Sequence, residues 1–204
     1  MILKSSQQTM KRAAAIVARG GVIAFRTDTF YGLGANPCDA AAVRRIKELK
    51  GREDSKPILL VISHRDQVER FIERPSKDFD RLAERFWPGP LTLIGTAHPQ
   101  VPAEITAGTR TVGIRLPNDE DVRNLVRGCG GALTATSANP SRLNPARNAQ
   151  EVIDYFPSGI DLIIDGGQSR TDQPSSVVDV SGAGFRLVRE GAISTEELMV
   201  RHAD

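Results

Sequence analysis

Cysteine and histidine are scarce in this chain of 204 residues, and their scarcity excludes several kinds of site. The two cysteines, Cys38 and Cys129, are far apart and form no CxxC pair, so we expect two free thiols. The three histidines, at positions 64, 98 and 202, lack the spacing of metal ligands, which argues against a dedicated zinc site. The sequence also lacks the GxGxxG, Walker and GxSxG patterns of common nucleotide-binding and hydrolase sites.

Long apolar runs, strong net charge and abundant aromatics are absent as well. No apolar stretch approaches the roughly 20 residues of a membrane-spanning helix, and the first residues lack the basic and apolar regions of a signal peptide. We therefore expect a cytoplasmic protein with no membrane partner. The net charge is +2 and aromatic residues make up 5%, which argues weakly against a dedicated RNA-binding module. A small net charge over the whole chain is still compatible with a local basic cleft.

Apolar periodicity alternates between helical and strand-like segments along the whole chain. Helices are predicted at residues 6–19, 39–51, 66–72, 76–86, 119–128, 148–155 and from 194 onward. Strands are predicted at 21–26, 57–62, 91–97, 111–116, 132–136, 162–164, 176–180 and 185–189. No linker, repeat or low-complexity segment divides the sequence. We predict one α/β domain over residues 1–204, built on a single twisted mixed sheet with flanking helices.

A group of cations follows the second predicted helix. Lys50, Arg52 and Lys56 lie within seven residues of sequence, and Gly51 ends the helix so that the later cations can face a different wall. Cations also complement the negative C-terminal end of a helix, so a structural role is an alternative.

The segment Thr136-Ser137-Ala138-Asn139 follows a strand rich in small residues, which allow close approach of a nucleotide. Its hydroxyl and amide groups supply neutral hydrogen-bond donors that complement the cations, and an ordinary turn is the alternative. Together the two motifs predict a phosphate site with fixed positive charge on one wall and neutral donors on the other.

Polar side chains also accompany two other predicted strands. The hydroxyls of Thr27, Thr29 and Tyr31 follow the strand at 21–26, and ligand sites of α/β proteins favour the carboxyl ends of strands. Arg115 lies in an otherwise apolar strand, where a buried charge needs a partner. A substrate carboxylate and a structural salt bridge both satisfy that requirement.

In this order, the motifs resemble those of the YrdC-type threonylcarbamoyl-AMP synthases in their single-domain bacterial form. The family's KxR pattern stands at 50–52 and its SxN pattern at 137–139. Further matching segments are YGLG at 31–34, WPGPLT at 87–92, GIRLP at 113–117, TSAN at 136–139, SSVVD at 175–179 and REG at 189–191. The resemblance extends over roughly residues 8–195, and we expect no counterpart of the carboxy-terminal domain of longer members.

The resemblance implies a fold, a reaction and partners. The fold encloses a deep basic cavity, and L-threonine, bicarbonate and ATP react to threonylcarbamoyl-AMP and pyrophosphate. Mg²⁺ is expected to accompany ATP, although no carboxylate cluster in the sequence marks its site. Separate downstream proteins transfer the threonylcarbamoyl group to tRNA. Because the net charge is only +2, we expect weak or no direct tRNA binding by this chain.

The resemblance also assigns the site residues. The catalytic residues are Lys50, Arg52, Ser137 and Asn139. The ATP-binding residues are Arg52, Lys56, Thr111, Ser137, Pro145 and Arg189. The threonine-binding residues are Thr29, Arg115, Ala135 (through its backbone) and Ser175. No protein ligand to a metal is assigned.

Three positions depart from the family's pattern. Arg26 stands where a proline commonly begins the first loop, Asp28 stands for a glutamate, and Val61 stands for a histidine. The last change removes the usual side chain of one threonine contact. Two alternatives stay open: a paralogue resembling the YciO branch, and an RNA-binding module that uses the same basic cavity.

Overall fold

The computed structural model describes residues 1–51 and 56–199. The helices in these residues are α1 (Gln7–Ala18), α2 (Ala40–Leu49), α3 (Lys77–Phe86), α4 (Ala103–Thr106), α5 (Glu120–Gly128), α6 (Ala149–Tyr155) and α7 (Thr195–Met199), with a 3₁₀ helix at Arg65–Arg70. The strands are β1 (Ile2–Lys4), β2 (Ile23–Arg26), β3 (Tyr31–Gly34), β4 (Leu60–Ile62), β5 (Leu91–Thr96), β6 (Thr111–Arg115), β7 (Ala132–Thr134), β8 (Thr136–Ser137), β9 (Leu162–Asp165), β10 (Ser176–Asp179) and β11 (Arg186–Arg189).

The strands form two mixed sheets. One has the order β1-β9-β2-β3-β8, and the other has the order β11-β10-β5-β6-β4-β7. The predicted α/β class with flanking helices is confirmed, but the single predicted sheet is replaced by two. The division occurs at Ala135, where the chain leaves β7 in one sheet and enters β8 in the other. The amide of Ala135 donates to the carbonyl of Leu59 at 2.7 Å and so continues the register of β7 with β4, and the predicted strand at 132–136 changes sheet directly after it.

Most helices begin at the predicted residue, because a helix start depends on the side chain of its N-cap residue and on the next turn alone. The N-cap side chain accepts a hydrogen bond from a backbone amide in the first turn, as at Asp39, Ser76, Asp119 and Asn148. The helix predicted at 66–72 is the 3₁₀ helix at Arg65–Arg70. No strand was predicted at β1 or β3 and no helix at α4.

β2 illustrates how the core positions the site. Its alternate residues face two hydrophobic clusters: Ala24 belongs to the larger one, and Ile23 and Phe25 belong to the smaller one between α1 and α5. Each fully buried side chain of that size contributes about 1.5–3 kcal/mol. Because a register slip would exchange the two faces, the strand and the polar residues at its end are held in place.

The helices in the described parts of the chain are all too short or too polar to cross a membrane.

Candidate functional site

A cavity opens where strands of the two sheets come together. The cavity and its mouth contain about 810 Å³ of empty space. Its polar lining comes from both sheets and from the loops at their strand ends. Of the residues predicted for the site, the cavity brings together Thr29, Arg115, Ala135, Ser137, Pro145, Ser175 and Arg189.

Arg115 ends β6 and reaches the cavity wall with a nearly buried side chain. Its Nη2 lies 3.2 Å from Oδ1 of Asp28, which has no aligned hydrogen bond, so the contact is an ion pair. The guanidinium also donates to Thr29 Oγ1 at 3.2 Å and to Thr27 Oγ1 at 3.4 Å. The structural salt bridge that the sequence left open is thus present. A guanidinium has five N–H donors, so these contacts leave Arg115 able to bind an anion as well.

Arg189 ends β11 on another side of the cavity. Its Nε and Nη2 donate to the carbonyl oxygen of Ser175 at 3.1 and 2.7 Å, and Ser175 Oγ lies 3.0 Å from Thr92 Oγ1. Burial and the positive charge of Arg115 both lower the pKa of the Arg189 guanidinium. No carboxylate is among the described residues that line the cavity. A guanidinium whose charged form is disfavoured in this way favours binding of an anion beside it.

The SxN segment is divided between the cavity and the interior. Ser137 lines the cavity at the end of β8. Asn139 and Lys50 are buried outside that lining, and Lys50 Nζ binds the backbone carbonyls of Ser137 and Asn139. In this structure Lys50 therefore contacts the loop that carries the site.

Three further predicted residues are not among the cavity-lining residues. Two of them are described by the structure, and the third is not. Lys56 is exposed and Thr111 bonds to the Thr109 hydroxyl at 3.0 Å. Arg52 lies outside the described residues. The ATP contacts assigned to these three residues stay predictions.

Two groups that were predicted to contact a ligand, the hydroxyl of Tyr31 and the backbone of Ala135, have hydrogen-bond partners within the protein. The Tyr31 hydroxyl donates to the carbonyl of Gly167 at 2.8 Å, and burial raises its pKa, so it orients the loop after β9 rather than a substrate. The Ala135 amide is bonded to Leu59, which leaves the Ala135 carbonyl as the candidate backbone contact.

Thr92 lines the cavity but was not predicted for the site. It lies in β5 with 1% exposure, and its hydroxyl contacts Ser175. A hydroxyl between two leucines in a mostly apolar strand is the sequence signal that could have identified it.

The described residues contain no group of three His, Cys, Asp or Glu side chains close enough to hold a metal ion. The two predicted free thiols are confirmed. Burial raises the pKa of Cys129 to about 12, so its thiolate is nearly absent at neutral pH.

Comparison with known proteins identifies the family. The Sua5_yciO_yrdC family model, described as telomere recombination, matches residues 15–191. The chain belongs to this family. A threonylcarbamoyl-AMP synthase of Pyrococcus abyssi is 38% identical over 186 residues, which are 91% of this chain and 55% of the relative. The enzyme of the same name from Halorhodospira halophila is 34% identical over 178 residues, which are 87% of this chain and 93% of the relative.

Solved structures of family members share the fold. P. abyssi Sua5, solved in complex with L-threonine, superposes with a TM-score of 0.91 at 36% identity and covers 97% of this chain. This chain covers 58% of that structure. E. coli YciO superposes with a TM-score of 0.86 at 25% identity, covering 98% of this chain and 97% of its own. The chain thus spans little more than half of the archaeal relative and nearly all of the H. halophila and YciO proteins.

Proposed function

We propose that this chain is an L-threonylcarbamoyladenylate synthase, a nucleotidyltransferase that converts L-threonine, bicarbonate and ATP to threonylcarbamoyl-AMP and pyrophosphate. The observation that carries the proposal is the pair of interacting guanidinium groups, Arg115 and Arg189, in a cavity whose described lining contains no carboxylate. Such a cavity suits substrates that bring a carboxylate and a triphosphate.

The reaction requires no nucleophile from the protein. The threonine amine and bicarbonate form a carbamate with loss of water. A carbamate oxygen then attacks the α-phosphorus, and the bond to the bridging oxygen of the β-phosphate breaks and releases pyrophosphate. The protein positions the reactants and neutralises charge, which is the usual basis of catalysis in transfers at phosphorus.

The threonine side of the cavity is built around Arg115. Its guanidinium binds the substrate carboxylate, while Asp28 and the hydroxyl of Thr29 fix its orientation. Ser175 and the carbonyl of Ala135 face the same space and bind the polar groups of threonine. The P. abyssi relative was solved in complex with L-threonine, which supports threonine as a ligand of this fold.

The nucleotide side is built around Arg189 and Ser137, with Pro145 as an apolar wall. Arg52, Lys56 and Thr111 complete the set that we propose for ATP. Mg²⁺ enters as part of the ATP substrate. Because no carboxylate is available among the described lining residues, triphosphate oxygens and water supply its ligands in this proposal.

The product is a reactive mixed anhydride, and we propose that a separate tRNA-modifying protein in the cytoplasm receives it. We also propose that residues 1–204 act as one catalytic domain. A YciO-like paralogue is the second candidate, because YciO shares the fold over almost the entire chain. The presence of Lys50, Arg52, Ser137 and Asn139 in the family pattern favours the synthase.

A pyrophosphate-release assay tests the proposal. The complete mixture of ATP, Mg²⁺, L-threonine and bicarbonate is compared with mixtures that lack one component each, and the AMP-linked product is identified by mass spectrometry. We expect release only in the complete mixture. ATP cleavage that does not depend on threonine would favour the paralogue, and no cleavage at all would refute the synthase.

A further inference from the structure

Lys50 lies at the C-terminal end of α2 and is almost completely buried, with 4% exposure. Its Nζ contacts three oxygens of one short segment. These are the carbonyl of Ser137, the carbonyl of Asn139 at 2.6 Å and the Asn139 Oδ1 at 3.4 Å. An ammonium has three N–H donors, so the oxygens of this segment match its hydrogen-bonding capacity.

The backbone of Lys50 makes a second connection to the same segment. Its carbonyl oxygen accepts a hydrogen bond from the amide of Ser141 at 2.9 Å. The C-terminal cap residue of α2 therefore holds the loop at residues 137–143 through both its side chain and its backbone. A helix end is a rigid point of attachment for a loop that has no regular structure after β8.

Asn139 completes this attachment from within the loop. It is 6% exposed, and its Nδ2 donates to the carbonyls of Pro140 at 3.0 Å and Leu143 at 2.6 Å. Its Oδ1 faces Lys50, so both ends of its side-chain amide have protein partners. Arg142 has a φ of 75°, a left-handed conformation that non-glycine residues adopt only when their surroundings compensate its cost.

We propose that Lys50 and Asn139 are positioning residues, which hold the 137–143 loop so that Ser137 faces the cavity. Lys50 then acts on the nucleotide through this loop and not by touching a phosphate. In the sequence, Lys50 is followed by Gly51, Arg52 and Lys56, the last two of which we propose as phosphate ligands. The expected effect on catalysis rests on the proposed synthase activity.

The test compares Lys50→Met, which keeps an unbranched side chain as far as Cε and removes the charged amino group, with Lys56→Met. Amide hydrogen exchange at 137–143 is measured without substrates, and steady-state constants are measured with them. In Lys50→Met we expect exchange in the loop to be faster by about tenfold or more, since its local opening costs less. We expect kcat to fall by about 100-fold because Ser137 is misplaced, with KM for ATP changed by less than about threefold. Lys56→Met should leave loop exchange unchanged and raise KM for ATP.

Asn139→Ala keeps the test decisive if Lys50→Met does not fold. It removes the bonds of the side-chain amide and retains the lysine, and it should give the same faster exchange in the loop and the same loss of kcat. Unchanged exchange in Lys50→Met, together with a rise of about tenfold or more in KM for ATP, would overturn the proposal in favour of a direct phosphate contact. Because the exchange measurement needs no turnover, it remains informative even if the synthase assay fails.

Discussion

Arg115 and Arg189 reach the cavity from two strands of the same sheet, and each is held by a different part of the protein. Asp28 and two threonine hydroxyls orient Arg115, whereas the carbonyl of Ser175 orients Arg189. Fixed orientation lowers the conformational cost of binding an anion at each position. The repulsion between the two charges is relieved when anionic substrates occupy the site.

Replacing the two arginines separately should therefore affect different substrates. We expect Arg115→Ala to weaken binding of L-threonine more than binding of ATP, and Arg189→Ala to do the reverse. The lost charged hydrogen bond of the nearly buried Arg115 should cost about 2–5 kcal/mol, and the loss at Arg189, which is more exposed, should be smaller. Calorimetric titration of each variant with each ligand measures the two losses.

Arg186 provides the matched control for this comparison. It lies on the same strand as Arg189, but its side chain is 72% exposed and pairs with Asp179 at 2.8 Å. Arg186→Ala should leave both affinities unchanged. Equal losses for both ligands in Arg115→Ala and Arg189→Ala would mean that the two walls of the cavity are assigned wrongly.

Among the helices, α5 has the most consequential cap. Oδ1 of Asp119 accepts the amides of Asp121 and Val122 at 3.1 and 3.3 Å, while Oδ2 lies 3.0 Å from Nη2 of Arg26. Both members of this ion pair are nearly buried, with 9% and 5% side-chain exposure. Asp119 therefore joins the start of α5 to the end of β2, directly before the loop of Thr27 and Thr29, which we propose for threonine.

Asp119→Asn should separate the two roles of this residue, because asparagine keeps a capping oxygen and loses the charge. Leaving Arg26 buried without its partner should lower the free energy of unfolding by about 3–5 kcal/mol. Asp119→Ala also removes the cap, so it should lower the free energy of unfolding by about 1 kcal/mol more than Asp119→Asn does. Asp39→Ala removes only a cap and should lower the free energy of unfolding of the wild-type protein by about 1 kcal/mol. Urea denaturation measures all three variants. A loss in Asp119→Asn no larger than that in Asp39→Ala would show that the ion pair adds nothing to stability.

The sequence predicts some elements better than others. Elements that depend on neighbouring residues are predicted well, whereas elements that depend on residues far away in the sequence are not. Helix starts depend on one side chain and the next turn, and so the predicted helices at 39–51, 76–86 and 148–155 begin at the observed caps Asp39, Ser76 and Asn148. β1 was missed because it is stabilised by pairing with β9, as in the pair Ile2 and Ile163. β3 contains two glycines and was interpreted as a loop. A Cβ on Gly34 would lie 2.6 Å from Phe25, so packing against β2 requires this glycine.

The residues of the candidate site also differ in how well the sequence predicts their positions. The resemblance to the family assigned seven of the residues that line the cavity. It did not indicate that Lys50 and Asn139 lie outside the lining or that the Ala135 amide is already bonded. These facts depend on side-chain direction, which is determined by packing of the complete fold.

In the whole molecule, Arg115 and Arg189 line a cavity between the two sheets, while the chain as a whole carries a net charge of +2. The described cations outside the cavity are frequently paired with carboxylates, as in Arg44 with Glu104, Arg45 with Asp161 and Arg65 with Asp80. A polynucleotide needs a row of available cations that follows its backbone. This distribution of charge favours small anions that enter the cavity over a long anion bound across the surface.

We therefore expect tRNA to bind this chain weakly and to be dispensable for the synthase step. Any binding should use phosphate contacts at the mouth of the cavity, so it should weaken steeply with salt and compete with ATP. A gel-shift titration with tRNA at about 0.15 M salt, with and without ATP and L-threonine, measures both properties. The Arg189→Ala variant serves as the control, because it should weaken ATP and the competing RNA together. Tight binding that resists salt and that ATP does not displace would contradict this expectation and establish RNA recognition on a separate surface.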